Sequence, residues 1–427
     1  MKVQATLLVL ALLAACGEPD IILPGQRFEV RPTEAVVNRA APLALPAAQV
    51  NAEWTQRGGG PAHRITHPAL GASLTQVFAV DIGEGDSRRA RITADPVVAG
   101  GVIYTLDARA QVTATTTAGA RLWTASVAPR TDNTTDGSGG GIAAADGVVY
   151  VTTGYGTLVA LDAATGGQFW EQDLDAPGTS APTVLGDLVY VVSRDSTAWA
   201  IERETGRIRW QASGTRSVGN FAGGAGAATD GNTVVFPFSS GEVLGAFAQG
   251  GLQRWSSVVT GGRAGAAVAT LTDIASDPVI VGDTVYVGNF AGQIAALSLA
   301  SGERVWTVPD GAVSPVWPVG GALFAVNDRA ELLRLDAGDG SVVWRVALPA
   351  FVQTRGVRRS QHAHYGPVLA GGRLIVASSD GLVRSFDPVS GNLVGQVALP
   401  GGAASHPVVA GNTLYVVTKA GQLVAFR

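Results

Sequence analysis

The sequence predicts an all-β fold: an eight-bladed β-propeller of four-stranded blades, its ring closed by an N-terminal strand. Three observations lead there. A unit ending in Gly-x-x-x-Trp recurs from Ala94 onward, with Trp123, Trp170, Trp210, Trp255, Trp306 and Trp344 in its last position. These tryptophans stand about 40 to 50 residues apart, the period of a propeller blade. Each unit also holds four short apolar runs broken by Gly, Asp and Asn, the pattern of strands joined by hairpins. Finally, the last unit, "ASHPVVAGNTLYVVTKAGQLVAFR", has only three such runs. "SLTQVFAVDI" near the N-terminus offers the missing fourth, with Phe78 in the Trp position. Borrowing it closes the ring and leaves no open edge between the chain ends.

In chain order, seven copies span 94–128, 142–174, 180–212, 223–258, 274–308, 312–348 and 364–399. The seventh ends "SGNLVG", with Gly395 where a tryptophan belongs. Within a copy each recurring residue has a structural task. Asp162, Asp336 and Asp387 start the turn between strands three and four, where a carboxylate caps backbone amides. The glycine takes the positive φ that this turn needs. The tryptophan, on the outer strand, packs toward the neighbouring blade. A set that recurs around a ring is not a catalytic constellation, because catalysis needs one site.

Ahead of the repeats, "MKVQATLLVLALLAACGEPD" carries one lysine, an apolar run and small residues before the only cysteine. That order is an export signal. The segment is too short to span a membrane as a helix. Residues 1–15 are expected to be a signal peptide and 16–50, with five prolines, a tether starting at Cys16. Residues 51–427 form the propeller. A lone cysteine allows no intrachain disulfide, so the fold rests on its core. Apolar residues make up 46% of the 427, enough for an extensive core. Net charge is −4 and the basic residues are scattered, which excludes nucleic acid as a partner class.

In a four-stranded blade, the turns between strands two and three share a face with the connections to the next blade. Those connections are long here, as in "APRTDNTTDGSGG", "SGTRSVGNFAGG" and "VVTGGRAGAAVATLTDIASD". Turns on the opposite face are uniformly short. Variable loops on a rigid scaffold carry binding, so the long-loop face is the candidate site. His362 and His364 in "HAH" lack further ligands nearby for zinc, and no metal or cofactor is expected. "RRAR" (Arg88, Arg89, Arg91) and "RGVRR" (Arg355, Arg358, Arg359) read as solvated loops able to meet acidic partners. The "GGG" stretches lack the strand–loop–helix context of a phosphate loop.

The "LAAC" around Cys16 resembles a bacterial lipobox, in which that cysteine is lipidated; the following Gly17 implies sorting to the outer membrane. Together with the tether and the Gly-x-x-x-Trp blades, it makes the chain resemble the BamB family of propeller lipoproteins of the outer-membrane β-barrel assembly (BAM) machinery. The likeness is carried by "GTSAPTVLGDLVYV", "LTDIASDPVIVGDTVYVGNFAGQIAALSLASGERVW" and "HPVVAGNTLYVVTKAGQLVAF". It implies a non-catalytic scaffold, lipid-anchored at the periplasmic face of the outer membrane. Such a scaffold docks POTRA domains of BamA and aids insertion of barrel proteins, with unfolded outer-membrane proteins as further partners. Asp273 matches an acidic contact of the family, whereas Ala275 stands where the family has a second one. The family's Leu/Arg loop is shortened here to "DAPGTSAP". Arg216 and Arg263 substitute by position and charge, and Leu271 and Asp175 complete the expected partner-binding set. The alternative is a quinoprotein dehydrogenase, whose blades carry the same repeat, or another periplasmic propeller binding module. The single cysteine excludes the vicinal pair of many such enzymes, and the loops show no calcium-binding set of carboxylates and amides.

Overall fold

A computed structural model describes residues 37–129, 137–178, 180–217, 223–261, 273–290, 292–353 and 360–427. Its strands form eight four-stranded sheets. Seven are consecutive meanders, blades 1 to 7, at 97–126, 140–173, 183–213, 228–258, 274–308, 317–347 and 364–398. Blade 8 takes three strands from 408–426, and its outermost strand, Gln76–Asp81, from the other end of the chain. The expected closure is therefore present. Phe78 sits opposite Ala425, as Trp123 sits opposite Ala114 and Trp170 opposite Ala160. The only helical element among the described residues is a single 3-10 turn, Arg57–Gly59.

The blades interlock through the repeat. The indole N–H of Trp123 donates to the Ala163 carbonyl of the next blade at 3.0 Å. Trp170, Trp210, Trp255 and Trp306 repeat this bond to Arg203, Ala248, Leu299 and Ala337. Each acceptor lies in the turn between strands three and four of the following blade. That turn also holds the repeat glycine. At Gly340 φ is +75°, and an added Cβ would lie 2.7 Å from the Trp306 ring. The glycine of one copy thus makes room for the tryptophan of the copy before it. The aspartate holds the same turn in shape: Asp162 Oδ1 accepts the N–H groups of Ala164 and Thr165 at 2.9 and 2.8 Å.

Gly395 now has a physical reason. A tryptophan there would pack under the turn between strands three and four of blade 8, and blade 8 has no such turn. Its third and fourth strands come from opposite chain ends and pair as an antiparallel ladder, and where a turn would join them there are instead reciprocal 2.9 Å backbone bonds between Thr75 and Arg427.

Every outer strand also carries a one-residue register shift beside the tryptophan position. The residue before the tryptophan is the extra one: Leu122, Phe169, Arg209, Arg254, Val305, Val343 and Val394, with Val77 in blade 8. Such bulges bend an edge strand and re-aim a side chain.

Candidate partner-binding face

The two ends of the propeller are built differently, and the N-terminal segment makes the difference. Residues 51–68 run across the channel at the end with the short turns and touch all eight blades. Asn51 bonds to Gly411 and Val409 of blade 8, and Trp54 exchanges 2.8 Å backbone bonds with Val98 of blade 1. The Thr55 carbonyl accepts from Ala144 of blade 2, and the Gln56 amide makes two 2.8 Å bonds to Val184 of blade 3. Pro61, Ala62 and Pro68 accept from Thr229, Ile280 and Gly371 of blades 4, 5 and 7. The Trp54 ring stacks on Trp317 of blade 6, with centroids 6.3 Å apart. Innermost strands present unpaired N–H and C=O groups to the channel, and this plug satisfies them.

At the channel centre the plug places Arg57. Its guanidinium meets Asp95, ahead of blade 1, at 2.9 Å and Asp277 of blade 5 at 3.2 Å. Blades 1 and 5 stand across the ring from each other, so one side chain ties opposite walls. Asp95 also accepts from His406 Nδ1 at 2.9 Å. Burial by itself would raise the Asp95 pKa, but the charges of His406 and Arg57 hold the carboxyl well below the usual range. Burial would lower the Arg57 pKa, and the Asp277 and Asp95 charges outweigh it. "GGG" at 58–60 serves this loop: a Cβ on Gly58 (φ +65°) would fall 2.4 Å from the His63 carbonyl oxygen. The plug had no signal in the sequence, because it has no periodicity and its partners lie up to hundreds of residues away.

Residues 37–50, assigned to the tether by their prolines, also pack on the ring. The Asn38 side chain bonds to both the N–H and the C=O of Arg345 in blade 6, and the Arg39 N–H to the Val343 carbonyl. Arg334 donates to the carbonyls of Ala41, Pro42 and Pro388. Arg334 occupies the small-residue position opposite Trp344, and the indole nitrogen of Trp344 has no hydrogen-bond partner.

The other end carries the long connections and the sequence-predicted contact residues. Asp175 and Arg216 are exposed, on the connections before blades 3 and 4. The Asp175 N–H bonds to Asp173 Oδ1 at 2.8 Å, and the adjacent Thr215 N–H to Glu242 Oε2 at 2.7 Å. Asp273, before blade 5, is only 5% exposed, and its carbonyl accepts from the Phe290 N–H. It lines a narrow cleft with Arg194 of blade 3 and Phe238 of blade 4. Arg194, exposed at a turn between strands two and three, was not among the residues the sequence pointed to; only its place in "SRDS" marked it as a turn. Arg263, Leu271, Cys16 and the "RGVRR" arginines lie outside the described residues.

Two further features share this face. His362 and His364 line a cavity of about 540 Å³ with Phe290, Phe351, Arg329 and Tyr365. His364 bonds through Nδ1 to Ser378 Oγ (2.8 Å) and through Nε2 to the Pro349 carbonyl (2.9 Å), so both ring nitrogens are engaged. Burial lowers its pKa. Arg88, Arg89 and Arg109 surround a second concavity of about 330 Å³, while Arg91 is paired to Asp86 at 3.1 Å. Among the described residues, no group of three or more His, Cys, Asp or Glu is placed to hold a metal ion.

Comparison with known proteins matches this architecture. Over most of each chain it resembles the crystal structure of BamB from Moraxella catarrhalis (TM-score 0.69, 19% identity, 83% of this chain and 100% of that one). A europium-containing methanol dehydrogenase shares the fold nearly as well (TM-score 0.67, 15% identity, 88% and 98%). Outer membrane protein assembly factor BamB of Yersinia pestis is 23% identical over the full length of both chains. Its counterpart in Burkholderia pseudomallei is 25% identical over 83% of this chain and 88% of its own. That of Legionella pneumophila is 27% identical over 57% of this chain and half of its own length. The family model described as outer membrane protein assembly factor BamB matches residues 108–346 and 337–427, and the chain belongs to that family.

Proposed function

We propose that this chain is a non-catalytic, lipid-anchored scaffold of the outer-membrane β-barrel assembly machinery. It docks the POTRA region of BamA through the connections before blades 3, 4 and 5. The observation that carries the reading is the filled channel. Small-molecule and cofactor sites need clefts of roughly 300–1,000 Å³. Beside Arg57, Asp95 and His406 the channel leaves a cleft of about 20 Å³. A quinone cofactor does not fit in that cleft. Outside that cleft the ring displays loops, with the cavity of about 540 Å³ beside His362 and His364 among them, and function resides on that face. Cys16 supplies the anchor, and holding scaffold and barrel subunit at one membrane raises the effective concentration of each contact.

Exposed Arg216 and Asp175 are the residues to test. Asp273 is buried, and an arginine there would disturb the cleft and mix folding with binding. Titrating the purified POTRA region against the Arg216→Glu, Asp175→Arg double variant should show binding weakened about tenfold or more, with the fold retained and only a small drop in melting temperature from the positive φ (+58°) at position 175. Wild-type affinity in that variant would move the docking surface elsewhere. Cys16→Ser should release a folded protein from membranes; unchanged membrane partitioning would overturn the anchor.

A further inference from the structure

The geometry points to a second docking site, on the outer flank between blades 2 and 3, that takes an extended polypeptide segment. The template is intramolecular. On blade 6 the chain's own residues 38 and 39 bond to the outer strand, and residues 41–44 continue across the blade past Arg334 to Gly320. Asn38 and Arg39 occupy the strand edge, and Ala41, Leu43 and Leu45 pack on the core cluster that contains Val343 and Trp344. Val343, the bulge residue of that strand, is consequently 4% exposed. The apolar bulge residues of five other blades, Val77, Leu122, Phe169, Val305 and Val394, are 51–59% exposed. The same position is covered where a segment lies on it and bare where none does.

Of these bare positions, Phe169 lines a groove. The groove, of about 760 Å³, runs between blades 2 and 3, with Val148, Tyr150, Phe169, Trp170 and Leu188 as its apolar wall. Its blade 3 rim is the turn 202–205, equivalent to the blade 7 turn that holds Pro388 beside Arg334. Equivalence with blade 6 also fixes the pairing. The Val343 carbonyl and the Arg345 N–H and C=O that bind residues 38 and 39 correspond to the Phe169 carbonyl and the Glu171 N–H and C=O. In the template one main-chain bond from Arg39 and the Asn38 side-chain amide hold the edge, and an extended segment takes the same groups with the side-chain groove giving selectivity.

Charge selects the occupant. Arg203 is paired with Asp146 at 2.9 Å and Arg209 with Glu202 at 3.4 Å. Asp187 and Glu204 remain as exposed rim carboxylates. The site therefore fits an extended segment with apolar side chains on one face and a lysine or arginine flanking them. It opens on the flank, away from the loop face, so it stands or falls separately from docking at Arg216.

The test uses the full chain and a fluorescein-labelled synthetic peptide of alternating leucine and threonine with lysine at both ends, followed by anisotropy. Binding should be weakened about tenfold by Phe169→Glu and several-fold by Glu204→Lys. Methylation of alternate peptide nitrogens should weaken it several-fold, and Arg216→Glu should leave it unchanged. Phe169 is exposed, so an unaltered melting temperature will show that its variant folds, and Glu204→Lys reads the same site without touching the apolar wall. Absence of binding, equal binding by Phe169→Glu and Glu204→Lys, or equal binding of the N-methylated peptide would overturn the site.

Discussion

The two ends of this propeller solve opposite problems. At the short-turn end, residues 51–68 cross the channel and bond to the innermost strands around the ring, and Arg57 bridges blades 1 and 5. At the loop end, the connections leave Asp175 and Arg216 exposed, and a turn between strands two and three does the same for Arg194. One end consumes polar groups in holding the ring together, and the other displays them. The contrast teaches where substitution should be felt as instability and where as lost binding.

The largest effect is expected at the plug. Arg57→Met leaves Asp95 and Asp277 buried without their cation, and breaking a buried pair from one side costs about 3–5 kcal/mol. Chemical denaturation should show that loss, with POTRA binding intact for the fraction that remains folded. A variant as stable as wild type would mean that the plug does not fasten the ring.

Next come the seams between blades. Trp306→Ala removes a large aromatic that packs under Gly340 and bonds to Ala337, so a loss of roughly 3–5 kcal/mol is expected. Gly340→Ala combines a positive φ with a clash against Trp306, at roughly 1–3 kcal/mol. Gly395→Ala should be close to neutral, because the nearest atom to its added Cβ is 3.9 Å away. Equal losses at Gly340 and Gly395 would refute the account of why the repeat breaks at blade 7.

A smaller effect comes from the buried histidines. Burial lowers the pKa of both His63 and His364. Below the ordinary histidine value, about 6.5, the unfolded chain takes up protons that the folded one refuses, so stability falls as pH drops from 7 toward 5. His63 faces Asp277 and Arg57, while His364 faces Asp380, Arg384 and His362. Each can contribute at most one proton to the slope. His364→Gln should flatten the pH dependence of the denaturation midpoint; an unchanged slope would show that His364 is protonated in the fold.

Much of the ring was legible because repetition makes local signals redundant. The blades, the Asp162-type turn, Phe78 in the Trp register and closure by Gln76–Asp81 all follow from runs read against one another. What escaped reading is non-local. Asn51, Trp54 and Gln56 find partners in blades 8, 1 and 3, and nothing in "NAEWTQRGGG" announces a plug. The prolines between Pro42 and Pro46 look like a tether, since proline lacks an N–H. Their carbonyls still accept, from Arg334 and His67, and Asn38 supplies an amide that mimics backbone. At the loop face, position was legible and burial was not: Asp273 and Arg216 both fall on inter-blade connections, yet only Arg216 is exposed.

The most direct test of the central claim is backbone hydrogen exchange of the full chain with and without the purified POTRA region of BamA. The account predicts new protection on the connections before blades 3, 4 and 5, around Asp175, Arg216 and Asp273. No new protection is expected at residues 51–68 or at the short turns. Protection gained at the short-turn end, with the loop end unchanged, would contradict it.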